Sequence, residues 1–361
     1  MKKMMAAVAL LAVLCMATAS TLAEIGFAEI MMDDVNVRKS PDGNTRWQLD
    51  EGASVYVYEE TRRGDKLWCH VYTNAGGKDP VTGWIRGDML RYVSEEFTDV
   101  VSVEAGDQYV TGVRADGTVA IIGWDMAHLP CIDKVRAWKN VKQTISEICT
   151  VFGLDKNGNV LHVGRYGECE GEKAAKLTGS DAILLDADGR FTTYTRSRFA
   201  EYGLADDLLN GCYQEAFHTQ NHLYLLTTEG KVYSGDMHHG GTDGFTELFG
   251  DGQRTTDIDI YWYHILALKE DGTVCARGKN MPAVNEVNDW TNVVKVAAGE
   301  EFSLGLRADG TVYYAGGDAA FAKRVAGWSG VTDIDAGYGF CIALFDDGHV
   351  EMAGTFTSYD R

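Results

Sequence analysis

Short runs in which apolar and polar residues alternate fill most of the sequence after residue 27. Examples are Val35–Arg38, Ser54–Tyr58, Trp68–Tyr72 and Gly83–Arg86, with turn residues between them such as those of Pro41–Asn44. Alternation with a period of two places apolar side chains on one face of a strand, and turns at this spacing favour antiparallel pairing. No segment has sustained helical periodicity, so the pattern predicts an all-β protein.

The second part of the chain repeats one pattern seven times. Each unit contains an Asp-Gly pair or an equivalent turn, with its glycine at Gly117, Gly158, Gly189, Gly230, Gly272, Gly310 and Gly348. Such a pair between alternating runs is a strong hairpin signal, because glycine accepts a positive φ. About four strands in about 40 residues, repeated, is typical of a β-propeller. We therefore predict seven blades over residues 97–361.

The strands at the two ends of the repeat region bear on how the ring closes. In one well-defined unit, Ala322–Val325 supplies a fourth strand before Trp328. Leu90–Val93 precedes Phe97 in the same way. We predict that a strand near Tyr92 completes the last blade and removes an exposed sheet edge.

The first residues have the form of a secretory signal peptide. Met1-Lys2-Lys3 is basic, Met4–Ala17 is apolar, and small residues follow up to Ala23. The apolar run is shorter than the roughly 20 residues that a membrane-spanning helix needs. The sequence predicts a signal peptide over residues 1–23 and a secreted or cell-envelope-associated protein without membrane insertion.

Charge narrows the choice of partner. The chain has 53 acidic and 33 basic residues, a formal net charge of −20. Nucleic acids and anionic membranes bind mainly through Lys and Arg, so both are disfavoured, whereas a basic partner is favoured. We expect a monomer with a protein partner and no nucleic-acid partner.

Few residues of the sequence indicate disulfides, metal binding or catalysis. The seven cysteines after residue 23 include no C-x-x-C pair, which favours free thiols, although a bridge from Cys169 to Cys212 or Cys131 stays open. His238-His239 and Asp186–Gly189 lack the ligand spacing of metal sites. Nucleophile, phosphate-loop and dinucleotide motifs are absent, so we predict no catalytic residues, no metal and no cofactor.

Residues 28–93 resemble the bacterial SH3-like domain. The likeness rests on Val35–Arg38 before a Pro-containing loop, on Leu67–Val71, and on Gly83–Leu90. The resemblance implies a small β-barrel that contacts cell-wall peptidoglycan or a peptide. Trp68 and Trp84 either line a groove for this contact or fill the core of the barrel.

The seven-fold unit resembles the regulator of chromosome condensation repeat. Trp290–Gly299 followed by Phe302–Gly316 shows the pattern most clearly. The sequence is similar in this respect to beta-lactamase inhibitor protein II, a secreted bacterial propeller that binds its target through one face of the ring. The resemblance implies a seven-bladed propeller that serves as a binding platform.

Aromatic residues mark where a partner would bind on this platform. The turns between the first and second strands contain Trp262, Tyr263 and Tyr338, and the loops with Trp124, Tyr166 and His238 are expected to reach the same face. Exposed aromatics are typical interface hot spots. The alternative is that these side chains pack between blades.

Two functions remain open from the sequence. The first is an exported, non-enzymatic binding protein whose propeller face docks a protein or a glycan. The alternative is a cell-envelope hydrolase, similar to a glycosidase, that uses carboxylates at the mouth of the propeller.

Overall fold

The computed structural model describes most of the chain from residue 26 to residue 354. The described residues are 26–50, 53–73, 81–106, 109–123, 131–147, 150–164, 172–179, 183–201, 204, 206–219, 222–236, 245–262, 264–279 and 282–354. The predicted signal peptide over residues 1–23 lies outside them, as do Cys149 and Cys169. Strands dominate these residues and the helices are short, which confirms the predicted all-β class.

The first seven strands form one antiparallel sheet, here called the N-terminal sheet, with the order β3-β2-β6-β5-β4-β1-β7. Its apolar positions, among them Val37, Val57, Cys69 and Ile85, point to a common core and are fully buried. A 3₁₀ turn over Gly87–Met89 joins the last two strands. The strands are β1 Gly26–Ile30, β2 Val35–Arg38, β3 Thr45–Leu49, β4 Ser54–Arg63, β5 Lys66–Thr73, β6 Val81–Arg86 and β7 Leu90–Tyr92.

Seven small antiparallel sheets follow along the chain and are called repeat sheets 1 to 7. Sheets 1 to 3 contain β8 Val100–Ala105, β9 Tyr109–Arg114 and β10 Val119–Gly123; β11 Val141–Glu147, β12 Thr150–Asp155 and β13 Val160–Gly164; and β14 Lys176–Thr178 and β15 Ile183–Leu185. Sheet 4 contains β16 Tyr213–Thr219, β17 His222–Thr227, β18 Val232–Asp236 and β19 Thr246–Leu248. Sheets 5 to 7 contain β20 Thr255–Tyr261, β21 His264–Lys269 and β22 Val274–Gly278; β23 Val293–Ala298, β24 Phe302–Arg307 and β25 Val312–Gly316; and β26 Val331–Ala336, β27 Phe340–Phe345 and β28 Val350–Gly354.

The seven predicted turn glycines adopt the backbone conformation that the hairpin requires. Their φ angles lie between 79° and 83°, a region that side chains with a Cβ atom rarely occupy. In six of the repeat sheets this glycine joins the second strand to the third. The backbone conformation predicted for these turn glycines is therefore confirmed.

Short helices take the place of the predicted fourth strands in most sheets. The segment expected to be a strand at Ala322–Val325 belongs to helix Ala319–Val325, so that prediction is wrong. Four of the helices pack against the third strands of two consecutive repeat sheets, with the last sheet followed by the first. The helices among the described residues are α1 Val93–Glu96, α2 Cys131–Arg136, α3 Thr193–Glu201, α4 Asp206–Leu209, α5 Pro282–Asn285 and α6 Ala319–Val325.

The prediction that a strand near Tyr92 completes the last sheet is also wrong. Strand β7, which ends at Tyr92, pairs with β1 inside the N-terminal sheet. The next segment, α1, packs between β28 and β10, and Val93 and Phe97 share a buried cluster with Met352 of β28. The junction after residue 92 thus joins the last repeat sheet to the first through a helix.

Candidate functional site

The first strands of the seven repeat sheets lie side by side in a closed series. Each contacts the first strand of the next sheet, and β26 of sheet 7 contacts β8 of sheet 1. Six of them have a bulge near their start, and the residue after the bulge is polar: Ser102, Gln143, Glu215, Asp257, Lys295 and Asp333. A bulge bends the strand and re-aims the side chain that follows it.

These polar side chains connect each sheet to the next. The side chain of Gln143 donates to the carbonyl of Leu177 at 2.7 Å and accepts from its amide at 3.1 Å. Asp333 of the last sheet accepts from the amide of Val103 in the first, at 3.2 Å. Every junction has such a bond: Glu104 with the amide of Ser146, Gln143 with Leu177, Lys176 with Glu215, Glu215 with Ile258, Asp257 with Val296, Lys295 with Asp333, and Asp333 with Val103.

Two more carboxylates repeat the connection two residues further along their strands. Asp259 accepts from the amide of Ala298 at 2.7 Å, and Asp335 accepts from that of Ala105 at 2.6 Å. We call the bonding side chains of the first strands the inner ring; its members are Glu104, Gln143, Lys176, Glu215, Asp257, Asp259, Lys295, Asp333 and Asp335. The inner ring fastens the seven sheets to one another.

The charged groups of the inner ring shift one another's ionisation. Burial, followed by repulsion from Asp335, raises the pKa of both Glu104 and Asp259 well above its usual range. Burial and the neighbouring carboxylate of Glu215 raise the pKa of Asp257 to about 8. Burial also raises the pKa of Asp335, to about 6, against the opposing attraction of Lys295. These side chains keep some accessible surface, but protein atoms surround them.

The pKa of Lys295 is raised, whereas burial ordinarily lowers the pKa of a lysine. Burial alone would lower it, but Asp333, Asp335 and Asp257 outweigh this effect and raise it. The ammonium group lies 2.6 Å from a carboxylate oxygen of Asp333. Lys295 therefore stays charged and compensates part of the negative charge of the inner ring.

Two of the predicted rim aromatics come together at the turn ends of the first strands. Trp262 directly follows β20, and Tyr338 follows β26. Both are half-buried and pack against one buried cluster that includes Tyr261, 8% exposed, and Ala298 of the sheet between them. The two rings therefore flank repeat sheet 6 and keep part of their surface open.

The other predicted rim residues have no described position. Tyr263, Trp124, Tyr166 and His238 lie outside the described residues. They stay predictions made from the sequence. Glu301, in the turn of sheet 6 between the two aromatic rings, is exposed and adds negative charge to this part of the surface.

A buried histidine and a buried serine beside this turn form hydrogen bonds that stabilise the fold. His264 Nε2 lies 2.9 Å from Ser303 Oγ, and Ser303 Oγ donates to the carbonyl of Ala283 at 2.7 Å. Because Ser303 donates elsewhere, its oxygen accepts the Nε2 proton of a neutral His264. Burial lowers the pKa of His264 to about 4. The histidine cannot act as a base toward this hydroxyl in the arrangement seen.

The N-terminal sheet places its two predicted tryptophans differently. Trp84 is half-buried, lies opposite Arg38 and His70 on the neighbouring strands, and stacks on the ring of His70 at 4.5 Å. Trp68 is 2% exposed, and the guanidinium of Arg38 lies 5.9 Å from its ring centre. Of the two, only Trp84 keeps an appreciable part of its surface open.

The described residues offer no site for a metal ion. Within them, no group of three or more His, Cys, Asp or Glu side chains is arranged to hold one, including the carboxylates of the inner ring. Four cysteines of the described ranges, Cys69, Cys212, Cys275 and Cys341, are free thiols. In the same ranges, no helix has the length and apolar character needed to cross a membrane.

Comparison with known proteins gives structural likenesses only. No protein-family model and no curated protein matches the chain. It is similar to the crystal structure of human WBSCR16, with a TM-score of 0.39, 16% sequence identity and coverage of 91% of this chain and 87% of that one. For Prp20p from Saccharomyces cerevisiae the values are 0.36, 15%, 93% and 92%. For the computationally designed protein Ika8 they are 0.44, 12%, 90% and 99%.

The inner ring was not predicted from the sequence. Its residues occupy the polar positions of alternating strands, and such positions are ordinarily exposed to solvent. One signal was present: a polar residue recurs after the first two residues of Thr255–Tyr261, Val293–Ala298 and Val331–Ala336. Aligning the repeats on this position would have grouped Asp257, Lys295 and Asp333.

Proposed function

We propose that the protein is an exported, non-enzymatic binding protein, built as a seven-bladed propeller (residues 97–361) behind a small SH3-like barrel (residues 28–93). The closed series of seven first strands supports the propeller, because each first strand would be the innermost strand of a blade. The seven-stranded N-terminal sheet with its single core supports the barrel.

The observation that carries the binding role is the pair Trp262 and Tyr338. Both belong to turns at the same end of the first strands, and both are partly open while packing on one firm cluster. Large aromatic rings held in this way bind at little cost in side-chain entropy and are common hot spots. This end of the ring would be the face that docks a partner.

Charge defines the chemistry of this partner. The chain carries a net charge of −20, and Glu301 is exposed between the two aromatic rings. A protein with a basic surface is complementary to such a face and would be steered toward it. The barrel would add a second contact, to cell wall or to a peptide, through Trp84 and the His70 ring stacked on it.

The test is affinity capture followed by measurement on the captured protein. Immobilised full-length chain is exposed to the envelope and secreted proteins of the producing cell, and the bound protein is identified and purified. Its affinity is then measured for the wild type, Trp262→Ala, Tyr338→Ala and the control Tyr233→Ala. Tyr233 is a half-buried aromatic in β18 of repeat sheet 4, and it packs on a different buried cluster from the two rim aromatics.

We expect each rim variant to weaken binding by at least about tenfold, and the control to leave it unchanged. Melting curves must show that all variants stay folded. Unchanged affinity in both folded rim variants would contradict the proposal. Turnover of peptidoglycan or glycosides that is lost on changing a single carboxylate would instead support the hydrolase.

A further inference from the structure

The inner ring holds more negative than positive groups. Its carboxylates are Glu104, Glu215, Asp257, Asp259, Asp333 and Asp335, against the ammonium groups of Lys176 and Lys295. Lys176 lies 3.0 Å from Glu215, and Lys295 lies 2.6 Å from Asp333. Within the described part of the chain, the other four carboxylates have no salt bridge and are held by backbone amides.

These four carboxylates lie near one another or near another carboxylate. Asp335 accepts from the amide of Ala105, next to Glu104, and its charge raises the pKa of both Glu104 and Asp259. Glu215 accepts from the amide of Ile258, next to Asp257, and forms a side-chain hydrogen bond with Asp257. Such a hydrogen bond between two carboxyl groups requires a proton on one of them, since ionised carboxylates only accept. Like charges enclosed by protein also cannot all ionise, and the group titrates as a unit.

We propose that the inner ring retains shared protons at neutral pH and thereby makes the closed ring of sheets more stable in mild acid than in mild base. The device is built into the junctions between sheets. It is independent of the partner-binding face proposed above.

The direction of the effect follows from the proton balance. In the unfolded chain these carboxyl groups are ionised above about pH 5. In the folded chain several keep their protons to higher pH, because burial and neighbouring carboxylates oppose ionisation. The folded state therefore binds more protons than the unfolded state, and its stability falls as pH rises. The range from about pH 7 to about pH 8 suits this measurement, because ordinary carboxylates and most histidines have lost their protons there, while most thiols of the unfolded chain still keep theirs.

The first measurement uses the wild-type, full-length protein. Denaturant unfolding between about pH 7 and about pH 8 should show the unfolding equilibrium constant rising by at least about tenfold per pH unit. Unfolding at about pH 7.5 in weak buffer should release at least about one proton per molecule, read with an indicator dye. A flat or opposite pH dependence, or no proton release, would overturn the proposal.

The second measurement uses variants that cannot ionise. Asp259→Asn keeps an oxygen for the amide of Ala298 but carries no charge, and Glu104→Gln does the same for that of Ser146. Each should reduce the pH dependence by up to about tenfold per pH unit and be more stable than the wild type at about pH 8.5. Asp289→Asn, at an exposed aspartate, should leave it unchanged. Folded variants that keep the full wild-type dependence would show that the protons lie elsewhere.

Discussion

His264 is a residue whose environment determines its charge. It is 4% exposed, donates to Ser303 from Nε2, and has a pKa lowered to about 4 by burial. An unfolded chain protonates this histidine near pH 6.5, whereas the folded chain does not. The unfolded state therefore gains stability as pH falls between these values.

We expect this histidine to destabilise the protein in acid. Its contribution should reach about 3 kcal/mol below about pH 4, because burial lowers the pKa of this histidine from about 6.5 in the unfolded chain to about 4 in the folded chain. His264→Phe places the residue found at the matching positions Phe302 and Phe340, and should remove this part of the acid sensitivity. Denaturant unfolding of both proteins at about pH 4.5 and about pH 7 gives the difference. An identical acid response in the two would show that the ring is protonated or exposed in the fold.

Two buried tryptophans allow the stabilising effect of one hydrogen bond to be measured, because only one of them donates such a bond. Trp328 Nε1 donates to the Glu351 carboxylate at 2.8 Å, and the ring is 4% exposed. Trp68 Nε1 is equally buried but has no hydrogen-bond partner among the described residues. Replacement by Phe removes similar volume at both sites.

Trp328→Phe should therefore cost about 1–3 kcal/mol more than Trp68→Phe, because only the first loses a bond to a charged acceptor. Urea unfolding of both variants measures the difference. Equal losses of unfolding free energy in the two variants would mean that only the removed side-chain volume matters and that the hydrogen bond adds nothing.

Elements differ in how far the sequence determines them. The hairpins at Gly310 and Gly348 follow from a local requirement, a positive φ between two alternating runs, so they were predictable. The helix Ala319–Val325 was not, because its few residues suit either state and its packing between β25 and β28 decides. Tertiary contacts also place β7 beside β1, where a repeat-based argument expected a blade strand.

The junction helix α1 depends on one carboxylate. Glu96, with 13% of its side chain exposed, lies 3.7 Å from Arg91, 3.6 Å from Arg114 and 3.3 Å from Arg136. These arginines belong to β7, β9 and α2, so the carboxylate ties the N-terminal sheet to repeat sheet 1.

Glu96→Gln should lower the free energy of unfolding by about 1–3 kcal/mol, because partly buried arginines lose their counter-charge. Asp188→Asn is the control, since Asp188 pairs with Arg190 at an exposed turn, where such pairs contribute at most about 1 kcal/mol. Thermal or urea unfolding compares the two. A loss at Glu96 no larger than the control would make the cluster incidental.

At the scale of the whole molecule, the number of repeat sheets and the proposed binding face depend on different information. Seven turn glycines give the number of sheets directly from the sequence. The inner ring does not follow from any single repeat, because Asp333 acquires its role only when the last sheet meets the first, 230 residues away along the chain. Likewise Trp262 and Tyr338 come to pack on one buried cluster only through the sheet that lies between them.

Two truncated chains can test whether α1 closes the ring of repeat sheets. Removal of residues 1–92 leaves α1 in place, whereas removal of residues 1–96 also deletes Val93, 4% exposed, from the cluster that joins β28 to the first sheet. If α1 fastens the last sheet to the first, the shorter chain should melt several degrees lower, about 2–4 °C for each kcal/mol lost at this size. The longer chain should melt closer to the repeat-sheet transition of the intact protein, because it keeps α1 in this cluster and loses only the contacts that the N-terminal sheet makes with α1 and β28. Equal melting of the two truncated chains would show that the ring closes without α1. A large loss already on removing residues 1–92 would show instead that the N-terminal sheet itself supports the ring.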